Sequence, residues 1–177
     1  MPAPAVDAQA VVGFIPDLRR YARSLTGDAW SADDLVQDTL ERACDRLSLW
    51  RPGSDLRAWL FTLMHNLWVD GARRAVRQQQ SAQVDVDDVA HELMAPPPAT
   101  EQALDLQRCL MRLPEDQRET LLLVSLQDLG YEDVARITGV PVGTVMSRLS
   151  RARARLRELM DGARPTAAPA PPLRRLE

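Results

Sequence analysis

Between residues 139 and 159 the chain reads GVPVGTVMSRLSRARARLREL, with arginines at 148, 151, 153, 155 and 157 and no acid before Glu158. A guanidinium is a planar fork of donors that keeps its charge, and it matches phosphate oxygens or the O6/N7 edge of guanine. Five of them without a carboxylate are too unbalanced for i,i+4 ion pairing, so this stretch carries chemistry suited to nucleic acid. Val142, Val145, Leu149, Ala152, Leu156 and Leu159 recur at alternating spacings of three and four, which is one face of a helix. They dock the helix, while Arg148, Arg151 and Arg155, with Thr144 and Ser147, project elsewhere. The preceding segment supplies Ala135, small enough for a close helix crossing, and Gly139 supplies the turn. This is the pattern of a helix-turn-helix whose second helix enters the major groove. The competing reading is a solvated arginine face on an ordinary helical bundle.

No set of residues supports catalysis. His91-Glu92 is followed by Leu-Met, so no second His completes a zinc-protease pattern, and there is no Gly-rich phosphate loop and no GxSxG. Cys44 and Cys109 stand singly in apolar-periodic runs and read as two small buried thiols, not as a disulfide or metal pair. No enzyme activity, cofactor or metal is expected. No apolar run approaches the ~18 residues of a membrane span, and MPAPAVDAQA has neither a basic start nor an apolar signal core. A cytoplasmic protein without membrane insertion is expected.

The charge distribution sharpens the arginine puzzle. The 177 residues carry a net charge of −3, and all 22 basic residues are arginine. Residues 1–77 balance, residues 78–100 hold Asp85, Asp87, Asp88 and Glu92 with no arginine, and residues 101–177 are slightly basic. Two basic islands stand out, Arg73, Arg74 and Arg77, and the 148–157 run. Local basic surface on an acidic chain suits a protein that meets DNA as part of a larger assembly.

The elements that position these residues all read as helices. VVGFIPDLRRYARSL is helical, with Pro16 as a kink or a first turn and Gly27 as a stop. Ser31 with Asp34 resembles a capping box and opens a helix with an apolar stripe of Leu35, Val36, Leu40, Ala43, Cys44 and Leu47. Its polar face gathers Asp34, Gln37, Asp38 and Glu41. A Pro-Gly loop spans 48–55. A long helix follows, with Leu56, Trp59, Leu60, Leu63 and Leu67 inward and Asn66, Val69, Arg73 and Arg77 on another face. Residues 78–100 are polar, acidic and end in three prolines, a flexible linker. Beyond it, Ala103, Leu106, Leu110 and Leu113 form one helix face, PEDQRETLLLVSLQDL forms the next helix, and the helix-turn-helix closes the pattern. The tail is Pro/Ala-rich. The expected fold is all-α: two small helical domains, 1–77 and 101–162, joined by an acidic linker over 78–100, with a disordered tail over 163–177.

DDLVQDTLERA, RAWLFTLMHNLWVDGARR, LPEDQRETLLL and VPVGTVMSRLSRARARL, in that order, resemble the bacterial extracytoplasmic-function (ECF) sigma factors over roughly residues 10–160. The resemblance implies an alternative sigma factor that binds core RNA polymerase and directs promoter recognition and melting. The first domain would be sigma region 2, on the polymerase clamp helices and the −10 element. The second would be sigma region 4, on the flap tip and the −35 element. An anti-sigma factor is a further implied partner. On the same resemblance Asp34, Gln37, Asp38 and Glu41 match the clamp-binding face. Trp50, Arg51, Pro52, Gly53 and Ser54 match the loop that holds a flipped −10 base, and Asn66 lies near that base. Arg73 and Arg74 would bind −10 phosphates, with Asp70 either structural or a DNA contact. Thr144, Ser147, Arg148 and Arg151 match the −35 reading helix. Two positions depart from the family: Met146, where many relatives carry Arg, and Trp68, where half-buried packing is expected over stacking on unpaired DNA. A stand-alone helix-turn-helix repressor and an interaction protein working through the acidic face are the alternatives, and neither accounts for the Asn66 helix and the clamp-like helix occurring together.

Overall fold

Pro16 occupies the first turn of a helix, where its missing N–H is an orphan in any case. That helix, α2 (Ile15–Thr26), follows the short α1 (Ala8–Val12). Gly27 ends α2 in the left-handed region at φ 79°, its N–H bonded to the Arg23 carbonyl. The left-handed turn requires glycine; a Cβ there would also meet Met111 Sδ at 2.6 Å, which the flexible, exposed Met111 side chain can relieve by shifting. Asp28 is then extended and caps α3 (Ala29–Arg46), accepting from the N–H groups of Trp30 at 3.2 Å and Ser31 at 2.7 Å. The cap is therefore Asp28 and not Ser31. A single turning residue fits between Gly27 and α3, and Ser31 is already helical.

The computed structural model describes residues 8–51, 53–81 and 100–163. After a 3₁₀ turn at Leu47–Leu49 come α4 (Leu56–Ser81), α5 (Glu101–Met111), α6 (Glu115–Ser125), α7 (Tyr131–Thr138) and α8 (Val142–Ala163). No strand occurs among the described residues. The fold is all-helical, in two regions. α4 runs to Ser81, past the boundary expected at 77; the rest of the expected linker up to residue 99, and the tail from 164, lie outside the described residues.

α2, α3 and α4 pack as one group and α5 to α8 as another, with α8 resting on α5, α6 and α7. The first core is built from Leu18, Tyr21 and Leu25, Leu35 and Val36, and Leu60, Phe61, Met64 and Leu67; Tyr21 meets Phe61 edge-on at 5.2 Å. The second uses Leu110, Leu121, Leu123, Val134, Ile137, Val145 and Leu149. The two groups also touch, α2 against α5 and α6 and α4 against α7, so their buried residues form one contiguous cluster.

Among the apolar positions expected in α3 and α5, three are exposed. Cys44 is exposed, unlike Cys109, because the buried stripe of α3 runs through Thr39 and Ala43 and leaves Cys44 at its edge. Ala103 and Leu106 are exposed because α5 buries only Cys109 and Leu110, near its C-terminal end.

Asp28→Ala is expected to lower stability by about 1 kcal/mol, the usual cost of losing a helix cap, read as a lower urea midpoint. The Ser31 hydroxyl and backbone N–H hold the Asp28 carboxyl below its ordinary value of 3.8. A depressed folded-state value means that this contribution is present above the unfolded pKa and lost as pH falls through the folded one. The gap between parent and variant should therefore stay constant near neutrality and shrink in acid below that ordinary value.

Candidate nucleic-acid interface

The helix-turn-helix is built as its spacing implied. Gly139 turns the chain at φ 68° with its N–H on the Ala135 carbonyl, and Val140 N–H reaches the same carbonyl at 3.2 Å. Pro141 opens α8, its carbonyl accepting from Thr144 and Val145 N–H. Val145 and Ala152 are fully buried and Leu149 nearly so, while Leu156 and Leu159 are partly covered. Val142, expected in the same stripe, is exposed, so docking begins one turn later.

The outward face holds fewer free arginines than the spacing suggested. Ser147 and Arg151 are exposed. Arg151 lies back along the helix, donating to the Ser147 carbonyl at 3.2 Å and its Oγ at 3.1 Å, and Ser147 Oγ donates to the Thr144 carbonyl at 3.0 Å. Thr144 is half-buried. Arg148 does not project beside Arg151. Its Nε lies 3.0 Å from Asp116 Oδ2 on α6, and only 22% of its side chain is exposed. Arg153, Arg155 and Arg157 are exposed, as is Met146.

On α3 the polar face is intact. Asp34, Gln37, Asp38 and Glu41 are exposed while Leu35, Val36 and Thr39 are buried. Gln37 donates to Glu41 at 3.0 Å. Both line a groove of about 690 Å³ with Val36 and Leu40.

In the loop before α4, Arg51, Gly53 and Ser54 are exposed, and Ser54 donates through its N–H and hydroxyl to the Arg51 carbonyl. Trp50 is half-buried, with its indole N–H enclosed and unpaired among the described residues. Pro52 lies outside the described residues. On α4, Asn66, Asp70, Arg73 and Arg74 are exposed, and Trp68 packs half-buried against the core. Asn66 and the loop thus lie in the first helical group and the α8 residues in the second. A cavity of about 460 Å³ between the groups is lined by Trp68 and Arg73 on one side and Asp116 and Arg148 on the other.

Sequence reasoning missed the polar residues between the groups. His65 Nδ1 lies 2.5 Å from Glu119 Oε1. Arg57 donates to Gln127 Oε1 at 2.9 Å, and Gln127 Nε2 donates to the Asp17 carbonyl at 3.3 Å. No periodicity marks them. Among the described residues no His/Cys/Asp/Glu group is arranged to hold a metal, and no helix is long and apolar enough to cross a membrane.

The family model for the sigma2 domain of PhyR matches residues 11–65, and that for sigma-70 region 4 matches residues 103–156. The ECF RNA polymerase sigma factor EcfG of Rhodopseudomonas palustris is 41% identical over 157 residues, covering 86% of this chain and 85% of its own. The chain belongs to the ECF RNA polymerase sigma factors. Its function is that of an alternative sigma factor, directing promoter-specific transcription with RNA polymerase. A second ECF sigma factor, SigM of Mycobacterium tuberculosis, is 36% identical over 81% of this chain and 71% of its own. Among solved structures, the sigma factor RpoE of Bartonella quintana, in complex with the anti-sigma factor NepR, aligns with a TM-score of 0.74. It is 38% identical, covering 88% of this chain and 97% of that one.

Within this sigma factor, Val145→Asp is expected to unfold the C-terminal helical group, because a carboxylate at a fully enclosed position has no partner. Met146→Ala, one residue on and exposed, should change stability by no more than about 0.5 kcal/mol. Thermal unfolding followed by circular dichroism separates the two.

Proposed function

We propose that the two helical groups divide the sigma factor's work. Residues 1–77 take the polymerase clamp and the −10 element, residues 101–162 take the flap and the −35 element, and residues 78–100 connect them. The observation that carries this reading is the separation of faces on α3. A continuous set of polar side chains, Asp34, Gln37, Asp38 and Glu41, stays exposed directly opposite a buried stripe. Helices of this length hold such a set in a fixed array, which suits docking on a basic helical partner. Asn66 and the exposed Arg51, Gly53 and Ser54 receive an unpaired −10 base, and Trp50 lends its ring. Arg73 and Arg74 hold the adjoining phosphates. Thr144, Ser147 and Arg151 face the −35 major groove, and Arg148 joins them once it leaves Asp116. With Met146 exposed where many relatives carry Arg, base preference at −35 differs from theirs, since a thioether offers apolar contact and no guanine fork.

The chain works as a specificity subunit in the cytoplasm and not as an enzyme. An anti-sigma factor is its expected regulator; the Bartonella relative with its NepR partner supports this.

Two measurements test the reading. Replacing Asp34, Asp38 and Glu41 together by Arg should abolish co-purification with core polymerase and leave helix content unchanged; undiminished binding would remove the clamp assignment. Asn66→Ala should slow open-complex formation on duplex promoters more than on templates already melted at −10, because pre-melted DNA does not incur the few kcal/mol of unpairing. Equal defects on both templates would assign Asn66 to packing or to polymerase binding.

A further inference from the structure

Two large apolar residues of α8 take no part in docking the helix. Val142 is 37% exposed and Met146 is 52% exposed, while Val145, Leu149 and Ala152 bury a different side. Lone apolar side chains on a surface are ordinary, but these two stand four residues apart, one turn above the other on the same face. The row continues from Met146 through Ser150, Arg153 and Arg157, at spacings of four, three and four, and all three are exposed. Thr144, Ser147 and Arg151 form the next row round the helix, since successive residues turn by about 100°. Gly143 lies between the two rows, and a Cβ there would meet nothing within 4 Å, so the start of the helix is open on this side.

What an apolar pair can recognise in a major groove is limited. The edge of a base pair offers ring nitrogens, carbonyl oxygens and amino groups there, and a single apolar feature, the C5-methyl of thymine. A thioether or an isopropyl group laid against guanine leaves the O6 and N7 acceptors without water and without a donor, which is costly. Laid against a methyl, both partners leave water to their gain. Val142 and Met146 occupy the first two turns of α8, the part of a recognition helix that contacts base edges. Arg153 and Arg157 follow about 10 and 16 Å beyond Met146 along the axis, comparable to the ~12 Å width of the groove. With the apolar end at the base edges, the basic end of the same row comes to the phosphate wall. An apolar start and a cationic end on one row suit DNA better than they suit an apolar pocket on a protein partner.

We propose that Val142 and Met146 form a reader of pyrimidine C5-methyl groups within the −35 element: the methyl of thymine, and equally that of 5-methylcytosine, which stands at the same ring position. The inference rests on the placement of α8 in the −35 groove and adds a specificity that the placement alone does not give. Met146 contributes more, because it is the more exposed of the two and its unbranched thioether adapts to the methyl it meets. Val142, stiff at its branched Cβ, forms one wall. Promoter affinity then responds to a chemical mark that leaves base pairing unchanged.

The test uses the full chain assembled with core polymerase, on synthetic duplex promoters whose −35 element is selected from a variant set. Deoxyuridine replaces each −35 thymine in turn, on either strand, which removes only the methyl. For at least one thymine the parent holoenzyme should lose about fourfold in affinity, the worth of burying one methyl group, and the Met146→Ala holoenzyme should lose nothing there. Cytosine at that position should weaken the parent, and 5-methylcytosine should recover about fourfold of the loss. Val142→Ala should reduce both effects. Ser147 and Arg151 stay in place in both variants, so each should still prefer the selected element to a scrambled one. If the parent is indifferent to deoxyuridine and to 5-methylcytosine throughout the element while still rejecting a scrambled one, the methyl reader is absent and the −35 assignment stands. If a scrambled element binds as well as the selected one, the −35 assignment falls and the reader with it. If Met146→Ala loses as much as the parent on deoxyuridine, the methyl acts through DNA shape and the inference is overturned. It is overturned equally if Met146→Ala weakens binding to core polymerase without DNA, which would make the row a protein contact.

Discussion

Gln127 sits where no water reaches it, and the partners it has are on the far side of a boundary between two helical groups. An amide left unpaired in such a place costs a few kcal/mol, so the end of α6 must lie over the junction of α2 and α4. Much of the remaining arrangement follows. With α6 anchored there, α7 comes to rest on α4 and α5 reaches α2 closely enough for Met111 to press on Gly27. α8, which makes no large contact with the first group, is carried behind them on α6 and α7. One side-chain amide thus helps set the relative placement of two groups whose own cores are apolar, mostly leucine, valine and alanine with the Tyr21–Phe61 pair in the first.

The same economy governs α8. Docking uses only Val145, Leu149 and Ala152 as fully covered residues, which leaves most of the helix circumference for polar work. Gly139 serves the left-handed turn and not a close crossing, since a Cβ there would meet nothing within 4 Å. The arginines then differ by neighbour and not by type: Arg151 is steadied by Ser147, Arg148 is taken by Asp116, and Arg153, Arg155 and Arg157 stand in solvent.

Helix existence was legible wherever apolar residues repeat at helical spacing, and so were the turns at Gly27 and Gly139, where the backbone needs a left-handed residue. The polar set on α3 and the docking stripe of α8 were equally readable, since both are periodic. The errors fall where periodicity does not decide. Asp28 and Ser31 are both good caps, and only the position of the preceding turn chooses between them. Ala103, Leu106 and Val142 fit their stripes in phase, but they are exposed near the N-terminal ends of α5 and α8, where phase alone does not say whether a neighbour covers them. The contacts between the groups were not legible at all. His65 and Glu119 are 54 residues apart, Arg57 and Gln127 are 70, and Asp17 and Gln127 are 110. Each is a single polar residue in a stretch that reads equally well as solvated surface. Arg148 was placed with its neighbours because helical phase gives direction, whereas Asp116 comes from another helix and overrides it.

That pairing changes how DNA would meet this helix. A phosphate that binds a free guanidinium displaces a condensed cation into bulk solvent, and that release is a main source of affinity at low ionic strength. Arg148 is already neutralised by Asp116. When a phosphate takes the guanidinium, the Asp116 pair is lost and its carboxylate is left beside the DNA, which offsets part of the gain. On the proposed −35 assignment, Arg148 would therefore gain less from a phosphate than an unpaired arginine does, at the promoter and on the rest of the genome alike.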